Sequence, residues 1–191
     1  MKRWSLVAGV IGLLLLGYWV VIMVQTRRFQ SAEQRRFEGG TPASPAAERP
    51  HRLPARGEAF AQLTIPRLGV SVVVLEGSGV PELRRGAGHI ERTALPGEGG
   101  NFSVAAHRDT FFRPLRFIRL NDVVRVKSDR GEFHYRVVSS AIVGPREARV
   151  LDPAGDESLT LVTCYPFDFV GPAPRRFIVR AVRIPDSMAN R

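Results

Sequence analysis

The sequence predicts a mostly β domain, a small closed barrel of about eight strands with short helices, preceded by one transmembrane helix. Two observations lead to this prediction. Residues 6–24 are uncharged and mostly apolar, whereas from residue 59 onward short runs rich in Val, Ile and Leu alternate with Gly and Pro. Runs of β-branched residues bounded by turn residues are typical of strands in an all-β domain.

The apolar segment 6–24 separates a short N-terminal stretch from the rest of the chain. At 1.5 Å per residue, 6–24 covers roughly the 30 Å hydrocarbon core of a membrane, which leaves residues 1–5 as a short cytoplasmic terminus. A cleaved signal peptide is the alternative, but the run is longer than a signal core and 25–28 contains no small-residue cleavage site. Four basic residues follow the helix and two precede it, so charge alone would place the domain in the cytoplasm.

Residues 25–58 are predicted to form a flexible tether, of which 25–37 can prolong the helix before Gly and Pro break the periodicity. The net charge of +10 is divided equally, because residues 1–58 carry nine Lys and Arg against four Asp and Glu. The domain arginines are scattered, and no nucleic-acid-binding motif is present, so no nucleic-acid partner is predicted. The absence of a dense carboxylate cluster predicts no metal site. No cofactor is expected either.

Residues 59–191 are predicted to form the barrel, as a soluble and monomeric unit. The predicted strands include 62–65, 70–74, 102–106, 123–126 with a hairpin to 138, 158–164 and 176–182. Helical periodicity is confined to short pieces near 81–85 and 111–118.

The chain has a single cysteine, Cys164, at the end of a predicted strand and directly before Tyr165-Pro166. Side chains alternate along a strand, so the more apolar face that ends in Thr163 is expected to point inward and Cys164 towards a groove. A thiol held at a strand end beside a loop is placed as a nucleophile requires. The alternative interpretation is an inert cysteine in the core.

Two further side chains are candidates for the same chemistry. His107 follows the apolar run 102–106, where an imidazole can exchange protons with a thiol and a leaving amine. Arg176 begins the last predicted strand, which returns beside Cys164 and places a guanidinium where an oxyanion would form. His89, in a Gly-rich turn, is the competing histidine. Asp109 is too close to His107 along the turn to orient the imidazole as a triad acid would.

Three motifs resemble those of the sortase family. Thr160-Leu-Val-Thr-Cys164 is similar to the TLxTC nucleophile motif, Ala106-His107-Arg108 to the histidine motif, and Arg176-Phe-Ile-Val179 to the opening of the last strand. Two Gly-rich segments, 86–89 and 95–101, resemble class D sortases in particular. Ala106 departs from the Gly that many members have, although Ala is nearly as small.

The resemblance implies a sortase-type barrel on the extracytoplasmic side of the cell membrane. It implies Cys164, His107 and Arg176 as catalytic residues, with Thr163, Ala106, Arg108 and His89 as supporting or substrate-binding residues. It further implies cleavage of an LPxTG-like sorting signal between Thr and Gly, and transfer of the acyl group to an amine on an envelope polymer or protein. Two alternatives remain open: a cysteine peptidase that passes the acyl group to water, and a non-enzymatic barrel that binds the cell envelope.

Overall fold

The computed structural model describes residues 2–39, 52–152 and 157–188. These described residues form two α-helices and eight strands. They are α1 (Lys2–Gly39), β1 (Ala59–Ile65), β2 (Val70–Glu76), α2 (Val80–Arg85), β3 (Ala87–His89), β4 (Asn101–Ala105), β5 (Val123–Ser128), β6 (Gly131–Val143), β7 (Ser158–Tyr165) and β8 (Arg175–Ile184). Short 3-10 helices occupy Pro66–Leu68, Arg113–Phe117, Ala148–Leu151 and Asp186–Met188.

The eight strands close into a barrel in the order β1-β2-β3-β4-β7-β8-β6-β5. The predicted fold class is therefore confirmed. Most neighbours are antiparallel, but β4 runs parallel to β7 and β2 parallel to β3. Because β4 and β7 are parallel, their carboxyl ends meet at one end of the barrel, where antiparallel β8 begins.

The core of the barrel is filled by the inward side chains of every long strand. Its largest fully buried members include Tyr135, Phe102, Phe112 and Leu63. Alternation along each strand explains this interior, since every second residue of a barrel strand points inward. The packed interior fixes the register of the strands, because a slip by one residue would turn apolar side chains outward.

The segment 86–89, expected to be a turn, instead contains the short strand β3. Gly86 and Gly88 make this possible, because a Cβ on Gly86 would lie 2.5 Å from the Val73 carbonyl oxygen and one on Gly88 would lie 2.4 Å from that of Gly77. A side chain at either position would clash with the backbone, so the small residues allow β3 to lie close to β2. Sequence reasoning attributed these residues to a turn because Gly is a common turn residue.

Helix α1 extends beyond the predicted span and contacts the barrel. Its side chain Gln30 accepts a hydrogen bond from the Val73 amide at 2.9 Å and donates one to the Arg85 carbonyl at 2.5 Å, and Gln34 donates to the Ser71 carbonyl at 3.3 Å. β3 pairs only with the last three residues of β2. The side-chain amides of the two glutamines therefore bind backbone groups with which β3 does not pair. The part of the predicted tether at 40–51 lies outside the described residues.

The N-terminal part of α1 has a different character. Gly9–Arg36 contains an apolar stretch long enough to cross a membrane, and none of that stretch is buried against the barrel. Leu13 and Leu14, for example, are 71% and 68% exposed. One such helix is consistent with a single-pass anchor.

Candidate active site

Cys164 lies near the carboxyl end of β7 on the outer face of the barrel. Leu159, Leu161 and Thr163 are buried at 0–2% exposure, and both leucines belong to the core. Cys164 alternates with them and is partly exposed. The predicted facing of this strand is thereby confirmed, and the thiol is a partly accessible group on a rigid element.

His107 follows β4, the strand that neighbours β7. Ala105 pairs with Val162, and the Ala106 amide donates to the Val162 carbonyl at 3.2 Å. Continuing this parallel register by two residues sets His107 beside Cys164. The two side chains, both within the described part of the chain, are not hydrogen-bonded to each other, as is common before a substrate binds.

A hydrogen bond between the two chain segments supports this arrangement. The buried Thr163 hydroxyl donates to the Ala106 carbonyl at 2.7 Å. Thr163 and Ala106 directly precede Cys164 and His107, so this bond ties together the backbones that carry the thiol and the imidazole. Ala106 is 5% exposed, which explains the need for a small residue at this position.

Arg176 lies on the other side of the thiol, on β8. The register pairs Cys164 with Arg176 and Tyr165 with Arg175. Arg176 therefore shares the outer face with Cys164, and Val179 and Ala181, on the opposite face of the strand, belong to the core. Its guanidinium donates through Nη1 to the carbonyls of Ala173 and Arg175, at 3.2 and 3.1 Å.

An apolar groove of about 230 Å³ adjoins this constellation. Val162 and Ile178 line it on the outer face of the barrel. They pair with each other two residues along their strands from the Cys164–Arg176 pair. Arg176 also lines the groove. Ile90 lines the groove from the segment after β3, and the β6–β7 connection contributes residues 144–147 with Val150 and Leu151. Such a surface offers apolar contact to a ligand, with the charge of Arg176 at one end.

Sequence reasoning did not identify the groove residues of the β6–β7 connection. The available signals were the Gly144-Pro145 pair, which ends β6, and the two apolar residues Val150 and Leu151 in an otherwise polar segment. Neither signal indicates which surface the connection covers. That depends on how the loop folds back over β7 and β8.

His89, the competing histidine, is not among the residues that line the groove. It is buried at 3% exposure, with Nδ1 2.6 Å from a Glu76 carboxylate oxygen and Nε2 2.9 Å from the Thr93 hydroxyl. Its ring also packs against Phe60 and Phe102. Both nitrogens are engaged, so His89 has the contacts of a structural residue that links β2 and β3 to the following loop.

Asp109 is exposed and makes no ion pair or hydrogen bond within the described residues. No local backbone amide of the described residues donates a hydrogen bond to its carboxylate. The Arg108 side chain, in contrast, makes three hydrogen bonds. It donates to the carbonyls of Pro166, Phe169 and Gly171 in the connection between β7 and β8.

Comparison with known proteins agrees with this geometry. The sortase domain model matches residues 63–184. A curated relative, sortase D of Bacillus subtilis (strain 168), is 34% identical over 132 residues, which cover 69% of this chain and 67% of the relative. Sortase SrtE1 of Streptomyces coelicolor is 36% identical over 129 residues, but the match covers only 37% of its length.

Solved structures show the same likeness. A Clostridium perfringens sortase D5 transpeptidase superposes with a TM-score of 0.69 at 26% identity, over 83% of this chain and 98% of that one. Sortase E from Streptomyces avermitilis gives a TM-score of 0.60 at 33% identity, over 69% and 91% of the two chains. The likeness to class D members is thus confirmed, and the chain belongs to the sortase family of cysteine transpeptidases.

Proposed function

We propose that this protein is a membrane-anchored sortase that cleaves an LPxTG-like sorting signal between Thr and Gly and transfers the acyl group from Cys164 to an amine. The observation that carries the proposal is the order of strands β4, β7 and β8. Because β4 and β8 flank β7, this order supports a site with His107 and Arg176 on either side of Cys164, beside an apolar groove.

The first half of the reaction forms a thioester. The Cys164 thiolate attacks the Thr carbonyl carbon, and the oxygen that becomes negative is stabilised by the Arg176 guanidinium. Protonated His107 then donates its proton to the departing Gly nitrogen, so that the carbon–nitrogen bond breaks and a free amine leaves. The acyl group remains bound to the sulfur.

The second half reverses these roles. An incoming amine attacks the thioester carbonyl, and neutral His107 accepts the amine proton. The carbon–sulfur bond breaks and restores the Cys164 thiolate, so each turnover ends with the two groups in their starting forms. This scheme requires no redox step and no cofactor.

Arg176 can act in this way without leaving its present partners. Its Nη1 group donates to two carbonyls of its own loop, whereas none of its other nitrogens has a hydrogen-bond partner in the described residues. These nitrogens remain free to bind an oxyanion. A guanidinium with several donors can hold its loop and the substrate oxygen together, which supports the assignment.

The apolar groove supports a substrate with a Leu-Pro segment before the reacting Thr. Val162, Ile178, Val150 and Leu151 offer apolar contact, and the Arg176 end supplies charge at the reacting carbonyl. Burying side chains such as Leu contributes on the order of 1.5–3 kcal/mol each when burial is complete. Binding energy from this remote part of the peptide would position the carbonyl at the thiol.

The decisive experiment uses the full chain in lipid nanodiscs with an LPxTG-like peptide, with and without an added amine. We expect a covalent acyl-enzyme on Cys164 by mass spectrometry and a peptide–amine product. Cys164→Ala should abolish both and leave the circular dichroism spectrum unchanged, because Ala removes only the sulfur. Hydrolysis that an amine does not divert would indicate a peptidase, and normal turnover by Cys164→Ala would contradict the assignment.

We also propose a single-pass topology with the barrel on the extracytoplasmic side. The apolar, exposed part of α1 supports an anchor, and the family relationship supports the orientation against the charge rule. Cys164 is the only cysteine, so a membrane-impermeant maleimide applied to intact cells reports its side directly. Labelling only after the cells are broken would place the barrel in the cytoplasm.

A further inference from the structure

The connection between β7 and β8, residues 166–174, joins Cys164 to Arg176 and is held by a residue outside it. Arg108 donates from Nη1 to the Pro166 carbonyl at 3.0 Å, and from Nη2 to the carbonyls of Phe169 and Gly171 at 2.6 and 3.0 Å. Its guanidinium also lies 5.7 Å from the centre of the Phe169 ring. One side chain thus binds three points along the first two thirds of the connection.

The remaining third is bound by Arg176. Its two carbonyl partners, Ala173 and Arg175, are at the end of the same connection and at the start of β8. The placement of the Arg176 guanidinium therefore depends on the path of the connection. That path depends in turn on Arg108, since three carbonyls of an exposed segment otherwise have only water as a partner.

Arg108 also lies beside the proposed proton donor. It directly follows His107, and Ala106 on the other side is tied to Thr163. A planar guanidinium offers donors in several directions at once, whereas a lysine ammonium is a compact point charge. The geometry of three separated carbonyls accordingly requires arginine at this position.

We propose that Arg108 is a positioning residue for the transfer reaction: it fixes the β7–β8 connection, and the connection fixes Arg176 beside the thiol. This inference rests on the proposed function. Arg108 does not contact the reacting atoms, and it acts only through the loop. The prediction is that its loss lowers turnover because Arg176 is misplaced.

The test is a double-mutant cycle in the full chain, in nanodiscs, with an LPxTG-like peptide. Arg108→Ala should lower kcat by about 10- to 100-fold, because small displacements of a catalytic group cost this much, and should change KM less. In an Arg176→Ala background the same change should cost less than about threefold, since the two residues act through one another. Arg108→Lys should not restore the rate.

Two controls isolate the three-carbonyl contact. Arg116 also reaches the connection, but through an ion pair with Asp168, whose side chain is 76% exposed. Exposed pairs contribute little, so Arg116→Ala should change kcat by less than about threefold. Arg113 is exposed and has no side-chain partner in the described residues, so Arg113→Ala should behave as wild type.

A second readout does not depend on activity. Phe169 and Val170 are 45% and 95% exposed, so chymotrypsin can reach the connection if its backbone opens. Cleavage there should be several-fold faster in Arg108→Ala and Arg108→Lys than in wild type, because limited proteolysis follows local opening. Thermal melts establish that each variant is folded.

The outcomes separate the two proposals. Equal losses of kcat from Arg108→Ala in both backgrounds, or unchanged cleavage of the connection, would overturn the positioning role. Full rescue by Arg108→Lys would show that charge alone matters and would also overturn it. A wild-type chain without peptide turnover would refute the proposed function and with it any role in catalysis, whereas the cleavage result would still show whether Arg108 holds the loop.

Discussion

Arg67 and Arg108 each hold a connecting segment of the barrel, but they differ in how their charge is balanced. Arg67 forms a two-point ion pair with the carboxylate of Asp122, donating to Oδ2 at 2.6 Å and to Oδ1, and also binds the Phe117 carbonyl at 2.6 Å. Arg108 binds three carbonyls and no carboxylate of the described residues. The positive charge of Arg67 is therefore balanced by a carboxylate, whereas the positive charge of Arg108 is not.

Arg176 resembles Arg108 in this respect, because its partners among the described residues are carbonyls and not a carboxylate. A carboxylate beside either Arg108 or Arg176 would cancel positive charge near the thiol, where the reaction develops negative charge. Carbonyl oxygens orient a guanidinium and leave its net charge in place. Arg67 and Asp122 are thus paired with each other, while Arg108 and Arg176 at this end of the barrel have no carboxylate partner among the described residues.

The largest effect that tests this contrast is expected at Arg176. Arg176→Ala should lower turnover of an LPxTG-like peptide by about two to three orders of magnitude, roughly 3–4 kcal/mol, because one oxyanion donor is lost. Arg176→Lys should also be severely impaired, since it lacks the planar fork.

The matched control for Arg176 is its neighbour. Arg175 pairs with Tyr165 and is exposed, so Arg175→Ala should retain nearly full turnover. Steady-state kinetics with thermal melts measure both variants. A crippled Arg175→Ala beside a normal Arg176→Ala would transfer the oxyanion role to Arg175.

A stability effect without loss of chemistry is expected at Asp122. Asp122 is 7% exposed, and its carboxylate also accepts a hydrogen bond from the Arg119 amide at 2.8 Å. Asp122→Asn should lower the free energy of unfolding by about 1–2 kcal/mol, the range for a charge-assisted hydrogen bond at a partly exposed pair. Urea unfolding measures this loss.

Asp129 provides the matched control for Asp122. It lies exposed in the turn between β5 and β6, and Asp129→Asn should leave stability unchanged. Specific activity of the folded Asp122→Asn protein should stay close to that of wild type. A large drop in its kcat would mean that the Arg67 clamp also serves the site.

The pH dependence of stability should follow from the same pair. Hydrogen bonding by Arg67 lowers the pKa of the Asp122 carboxyl, and the Arg119 amide lowers it further against the effect of burial. The folded protein then binds fewer protons at Asp122 than the unfolded chain. The stabilisation is complete above the unfolded pKa of about 4 and is lost as the pH falls through the lower, folded value.

Unfolding free energies of wild type and Asp122→Asn between neutral pH and pH 3 measure this effect. The difference between the two proteins should shrink as the pH falls below about 4, since Asp122 becomes protonated in both states. Taking the difference removes the contribution of other carboxyls. A difference that grows in acid would mean that the sign of the pKa shift is wrong.

The smallest effect is expected at Asp109. Its side chain is exposed and unpaired within the described residues, so it does not orient the His107 ring. Asp109→Asn should change kcat by less than about threefold, whereas His107→Ala should lose several orders of magnitude, since it removes the general acid and base. Comparable losses in the two variants, measured by steady-state kinetics, would indicate a Cys-His-Asp triad.

The local sequence is sufficient to predict most strands, the face on which Cys164 lies and its pairing with Arg176. These features depend on alternation with period two and on turn residues, which short segments contain. β3 was not predicted, because its three residues form a strand only where β2 and β4 lie on both sides. The contact of α1 with β2 was not predicted either, because it joins residues far apart along the chain.

The sequence by itself determined the barrel class, the apolar helix and the three motifs that resemble those of the family. Only the tertiary structure decided that His89 is structural, that Arg108 binds the β7–β8 connection, and that the β6–β7 connection forms one wall of the groove. These contacts join residues far apart along the chain: Arg108 and Gly171, for example, meet across 63 positions. Periodicity reports which face a side chain occupies, but its partner is set by the packing of the whole barrel.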